Sequence, residues 1–177
     1  MIDLEKAAAA VSAGDPSAFP GIVAATQGRL VRLSARLLGN VSDAEDVVQE
    51  AYVKAYRSLV AGGFDGRSRV STWLHRIVLN ATLAARRAHK RTPPLPSDVS
   101  TEPSVDGAAS SEARVALREL AEWLGALPEE QQVVVLLKAV EQLSSAEIAE
   151  ILRCSEGAVE QRLVRARAAL RKMGADS

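Results

Sequence analysis

Gln161, Val164, Arg165 and Lys172 recur at helical spacing near the C-terminus, flanked by Arg162, Arg167 and Arg171. On a helix that spacing gathers the first four, with Ala168, on one face. Arginine can pair bidentately with guanine and glutamine with adenine, and any of the cations can meet phosphate. The chemistry on offer is therefore recognition of nucleic acid. Between Arg153 and Lys172 stand six bases against two acids, Glu156 and Glu160. A solvated terminal helix whose bases merely complement its dipole has the same composition, and that reading stays open here.

A second set lies in Asp43–Arg57. Asp46, Gln49, Glu50, Val53 and Arg57 share one side of an expected helix, while Ala44, Val47, Val48, Ala51, Tyr52, Ala55 and Leu59 make an apolar stripe on the other. Four acids (Asp43, Glu45, Asp46, Glu50) precede the first base, Lys54. Part of that order suits the macrodipole. Val53, an apolar residue on the charged side, suggests a face that a partner covers.

The third set is basic. From Arg67 to Arg91 there are seven Arg or Lys and no acid. Arg76, Asn80, Arg86, Arg87, Lys90 and Arg91 could hold the phosphates of a single strand, or simply face solvent. Asn80 stands mid-helix, where an amide is locally unfavourable without a partner. Trp73 reads as core, because Leu74 and Ile77 continue its side.

Other chemistries find little here. His75, His89 and Cys154 lack ligand-like spacing, so no metal or cofactor is expected. There is no glycine-rich loop ending in Lys-Ser/Thr. Asp46 and Glu50 share a face with no histidine near them and read as a docking surface, so the chain is not expected to be an enzyme. One cysteine excludes an internal disulfide. No run approaches the roughly 20 apolar residues of a membrane span, and no signal peptide is evident, so a cytoplasmic protein without membrane insertion is expected.

The elements that must position these residues are helices. Aromatics are 3% of the chain, so a core must rest on Ala, Leu and Val, which disfavours a β-sandwich. The 22 bases balance 22 acids, and only their distribution is informative. Residues 2–13 read as a first helix that stops at Gly14. Asp15 and Pro16 open a second, running to Leu38 with a break near Gly28 and ending at Gly39-Asn40. Ser42 with Glu45 reads as a capping box for the third. A turn-rich loop over 64–69 precedes a fourth helix from about Ser71 to Lys90. Residues 92–111 hold four prolines and acids but no base, and read as a flexible acidic linker. Helices are then expected over 112–125 and 129–142. A second capping box, Ser144 with Glu147, opens a short helix, and a turn at 153–155 leads to the last one. That final pair has the helix-turn-helix pattern, in which the second helix enters the major groove.

In this order and spacing the segments resemble an extracytoplasmic-function (ECF) sigma factor, the small two-domain class of bacterial RNA polymerase sigma subunits. Asp43–Arg57 is similar to the polymerase-docking helix of sigma region two. Phe64–Asn80, with Trp73-Leu-His-Arg-Ile77 inside it, is similar to the promoter-melting segment. Leu127-Pro-Glu-Glu-Gln-Gln132 through Glu147-Ile-Ala-Glu150, with Gly157–Arg167, resembles region four. The resemblance implies an all-α fold of two small helical domains: region two over 1–91, the linker over 92–111 and region four over 112–177. It implies that Asp46, Gln49, Glu50 and Val53 dock on the polymerase clamp coiled coil. Lys54, Arg57, Arg76, Asn80, Arg86 and Arg87 would hold the minus-ten strand, with Asn80 near a pocket for a flipped base. Gln161, Arg162, Val164, Arg165 and Lys172 would face the minus-thirty-five duplex. The partners implied are core RNA polymerase, promoter DNA and an anti-sigma protein, with the chemistry left to the polymerase.

The chain departs from that pattern at four places. Glu160 stands where the family usually has a base and Ala158 where it usually has Thr. Gln142 replaces a common Gly, and Gln132 a frequent base. An acid at 160 that faced phosphates would weaken or redirect upstream binding. A stand-alone helix-turn-helix regulator explains 127–172 equally well but leaves Asp43–Asn80 without a task. A purely structural helical adaptor predicts no salt-dependent DNA binding.

Overall fold

The computed structural model describes the backbone of residues 2–91 and 111–175 and the side chains of 2–90 and 118–175. Among these residues every regular element is helical, as the composition requires. The chain divides into two compact units, one holding the helices before residue 92 and the other those after residue 110. The expected linker lies outside the described residues except for Ser111, which already begins a helix.

In the first unit, α1 spans Leu4–Ser12, with Asp3 capping it by accepting from the Lys6 amide at 3.0 Å. Gly14, at φ +98°, takes the left-handed turn that frees the chain to reverse. Asp15 accepts from the Ser17 amide and hydroxyl, starting a 3₁₀ turn (Pro16–Ala18) that runs into α2 (Phe19–Leu38). The break expected near Gly28 does not occur. An interior glycine costs a helix only about 1 kcal/mol relative to alanine, and Ile22, Leu30, Leu33 and Leu37 are all buried along α2. Gly39 ends the helix in the left-handed conformation.

The start of α3 (Val41–Val60) differs from expectation. Asn40, not Ser42, is its N-cap: the Asn40 Oδ1 accepts from the amides of Ser42 at 2.8 Å and Asp43 at 3.4 Å. Asn caps at least as well as Ser, and the chain leaving Gly39 delivers it two residues earlier. The stripe of Ala44, Val48, Ala51, Tyr52, Ala55 and Leu59 is buried as expected, with Val47 half-buried. Helix α4 spans Val70–Arg91. Its Val70, Trp73, Leu74 and Val78 close the core over α1, α2 and α3. The Ser34 and Thr82 hydroxyls, both fully buried, hydrogen-bond at 2.9 Å between α2 and α4. That bond satisfies two groups whose burial alone would cost stability.

In the second unit, α5 spans Ser111–Ala126 and α6 spans Glu129–Val135. The helix expected to continue to Gln142 instead widens into a π-helical turn over Leu136–Val140, with the Glu141 amide reaching back to the Leu136 carbonyl. Gln142 then adopts φ +55°. A residue there must go left-handed to reverse the chain, which gives a physical reason for glycine at this place. Helix α7 (Ser145–Leu152) carries the expected capping box of Ser144 and Glu147. The turn at Arg153, also left-handed at φ +52°, leads to α8 (Glu156–Ala175). Leu127, Val133, Val134, Leu136, Leu137, Ile148, Ala149, Ile151, Val159, Leu163 and Ala166 are this unit's buried apolar residues among those described.

Candidate protein-docking and nucleic-acid surfaces

On α3 the heptad-like run that buries Tyr52 necessarily turns Asp46, Gln49, Glu50 and Val53 outward, and all four are exposed. Val53 is 46% exposed. It lies on the rim of a groove between α2 and α3, lined by Phe19, Val23 and Gln27 from α2 and Glu45, Val48, Gln49, Tyr52, Val53 and Tyr56 from α3. The floor is fixed by packing. Phe19 stands edge-on to Tyr52 and Tyr56, at centroid distances of 6.2 and 5.2 Å. The Thr26 hydroxyl donates to the Ile22 carbonyl at 2.8 Å, so the Tyr52 hydroxyl is the donor in their 2.6 Å bond. Burial pushes the Tyr52 hydroxyl above its usual pKa. The α2 side of this groove escaped the sequence reading, because Phe19 and Val23 belong to no charged constellation and only the α2–α3 packing brings them there.

Arg57 continues the exposed face of α3 four residues beyond Val53, and Lys54 is exposed beside it. Thus one helix presents acids in its early turns and bases in its later ones. On α4, Arg76, Asn80 and Arg87 share a face at four- and seven-residue spacing. Asn80 and Arg87 are exposed, while Arg76 and Arg86 are half-buried. Trp73 is 5% exposed and packs on Phe64 at 5.0 Å, so it belongs to the core. The 64–69 loop is organised locally: Gly66 is left-handed, and the Asp65 carboxylate accepts from the Arg67 amide at 3.1 Å. Glu5 of α1 accepts from the Val70 amide at 3.4 Å and so caps α4 from another helix. Where α4 runs back past the start of α3, His89 lies 3.8 Å from Asp43.

On α8, Val159, Leu163 and Ala166 are buried, which turns Gln161, Val164, Arg165, Ala168 and Lys172 outward. Val164, 61% exposed, is the most open large apolar side chain among the described residues. Ser155 caps the helix by accepting from the Ala158 amide at 3.2 Å. Two residues of α8 have partners on other elements that spacing within the helix does not reveal. Arg162 is held inward, its Nη2 3.0 Å from the Glu130 carboxylate of α6 and its Nη1 3.6 Å from the Cys154 sulfur. The structure thus separates Arg162 from the outward set it was grouped with. Glu160 accepts a hydrogen bond from the Ser145 hydroxyl of α7. That carboxylate therefore has a partner within its own unit.

Among the described residues no helix is long and apolar enough to cross a membrane. Comparison with known proteins gives these surfaces a context. The Sigma-70 region 2 family model matches residues 22–92, and the Sigma-70 region 4 model matches 117–170. The ECF RNA polymerase sigma factor SigW of Bacillus subtilis is 35% identical over 173 residues, covering 92% of this chain and 91% of the relative. The RNA polymerase sigma-H factor of Pseudomonas aeruginosa is 36% identical over 174 residues, covering 92% and 89%. The ECF sigma-E factor of Escherichia coli is 33% identical over 176 residues, covering 90% and 88%. Among solved structures, CnrH in complex with the cytosolic domain of CnrY superposes with a TM-score of 0.71 at 32% identity, over 97% of each chain. With both region models matched in chain order and full-length relatives above 30% identity, the chain belongs to the ECF family of RNA polymerase sigma factors.

Proposed function

We propose that this chain is a promoter-specificity subunit that directs core RNA polymerase to a set of promoters and starts transcription there. Asp46, Gln49, Glu50 and Val53, with the groove walls from Phe19 and Val23, dock on a basic, partly apolar element of the polymerase. Lys54, Arg57, Arg76, Asn80, Arg86 and Arg87 hold the melted minus-ten strand. Gln161, Val164, Arg165 and Lys172 read the upstream duplex. The observation that carries the reading is the juxtaposition in one compact unit of a largely apolar groove, beside the exposed acids of α3, and a basic helix face. A stand-alone regulator would need only α7 and α8.

Catalysis stays with the polymerase, and the chain acts in the cytoplasm where that enzyme is. An anti-sigma protein is the second partner. CnrH, similar over 97% of this chain, is bound by the cytosolic domain of CnrY, and a partner of that kind would silence this chain by covering the same groove.

Run-off transcription with core polymerase over a promoter library tests the proposal. The wild type initiates from a subset of sequences. Asp46→Ala with Glu50→Ala lowers core binding by at least about tenfold, a few kcal/mol being the scale of hot-spot losses. The helical spectrum and duplex binding stay unchanged. No initiation from any sequence, together with failed core pull-down, would end the proposal.

A further inference from the structure

A carboxylate on a helix that meets phosphates costs affinity when nothing engages it. Glu160, exposed on α8 next to Gln161, looks like such a group. Its carboxylate, however, takes the hydroxyl of Ser145, fifteen residues earlier, at the first position of α7. The preceding Ser144 is already served by Glu147, which accepts from the Ser144 amide at 2.9 Å and hydroxyl at 2.7 Å. Two carboxylates therefore meet the first turn of α7, one from its own helix and one from α8, at the end where the dipole favours negative charge.

The buried residues of α7 and α8 are Ile148, Ala149 and Ile151 on one side and Val159, Leu163 and Ala166 on the other. Such interdigitated packing already confines the rotation of α8 about its axis to a narrow range. A directed bond between chain positions 145 and 160 sets it more tightly. On the flank facing α6, the Arg162–Glu130 pair does the same.

We propose that Glu160 is a positioning residue for upstream promoter reading. Through Ser145 it holds α8 at the rotation that presents Gln161, Val164 and Arg165 to base edges, and it does not act as a charge against phosphate. The inference rests on the assignment of α8 as the upstream reader.

The test uses the full chain with core polymerase and upstream duplexes enriched by the wild type from a random library. Glu160→Ala and Ser145→Ala each weaken binding about fivefold, and the double substitution weakens it no further. The slope of log affinity against log salt does not change. Glu160→Gln, which keeps an acceptor oxygen, restores most of the loss. If Glu160→Ala and Glu160→Gln both tighten binding and steepen the salt slope by about one, the carboxylate faces phosphate and the proposal is overturned. Enrichment of no upstream sequence by the wild type would instead remove the reading beneath it. The brace itself is then decided without DNA, by hydrogen exchange at the Glu147 and Ile148 amides. These exchange faster in Glu160→Ala than in the wild type or Glu160→Gln, and equal rates in all three overturn the brace.

Discussion

Arg162 and Tyr52 show how much a side chain's neighbours decide. Arg162 is one of six bases between Arg153 and Lys172, yet its guanidinium is committed to Glu130 and Cys154. Arg162→Ala and Glu130→Ala are each expected to lower stability by up to about 1 kcal/mol, and together by no more, since the pair is partly exposed. Arg165→Ala should reduce the salt slope of DNA binding by about one, and Arg162→Ala should leave it nearly unchanged. Denaturant melts and salt titrations separate the two roles. For Tyr52 the raised pKa has a definite sign. The folded state resists ionisation, so the contribution of this residue is complete below the ordinary value of about 10 and is lost as pH rises through the folded value. Tyr52→Phe should cost about 1 kcal/mol at neutral pH, where the bond to Thr26 is gone, and lose less stability than the wild type as pH rises above the ordinary tyrosine value of about 10. A pH series of urea melts reads the difference.

At the scale of elements, the chain signals helices through period and caps, and the errors fall where a local rule had a competitor. The Ser42/Glu45 pattern was a sound cap signature, but Asn40 lay upstream with an equally good acceptor. Gly28 looked like a break, but tertiary burial along α2 outweighed its intrinsic cost. The π-helical turn at Leu136–Val140 has no local sequence signature, since it follows from fitting α6 to the turn that starts α7. That turn leaves Gln142 left-handed at φ +55°. Gln142→Gly relieves a conformation costing about 1–2 kcal/mol while adding freedom to the unfolded chain, for a net gain of about 0.5 kcal/mol. A melting temperature of the α5–α8 unit that falls in this variant would contradict that account.

For the whole molecule, the two compact units suggest that each folds on its own and that binding by both is additive through their connection. A chain ending at Arg91 is expected to melt cooperatively and to retain core-polymerase binding without upstream discrimination. Circular dichroism and pull-down check this, and a fragment that is unfolded or blind to core contradicts it. Residue types and spacing by themselves determined the all-α class, the helix-turn-helix, the outward set on α8 and the exposed face of α3 that holds Asp46, Gln49, Glu50 and Val53. These follow from the 3.6-residue period, which any reader of the chain can apply. Tertiary structure alone decided that Phe19 and Val23 complete the groove beside Val53. It also turned Arg162 inward and gave Glu160 a partner in Ser145. Period says which side of a helix a residue occupies. Which neighbour stands there depends on packing between segments distant in the chain, and the spacing within one helix carries no information about that.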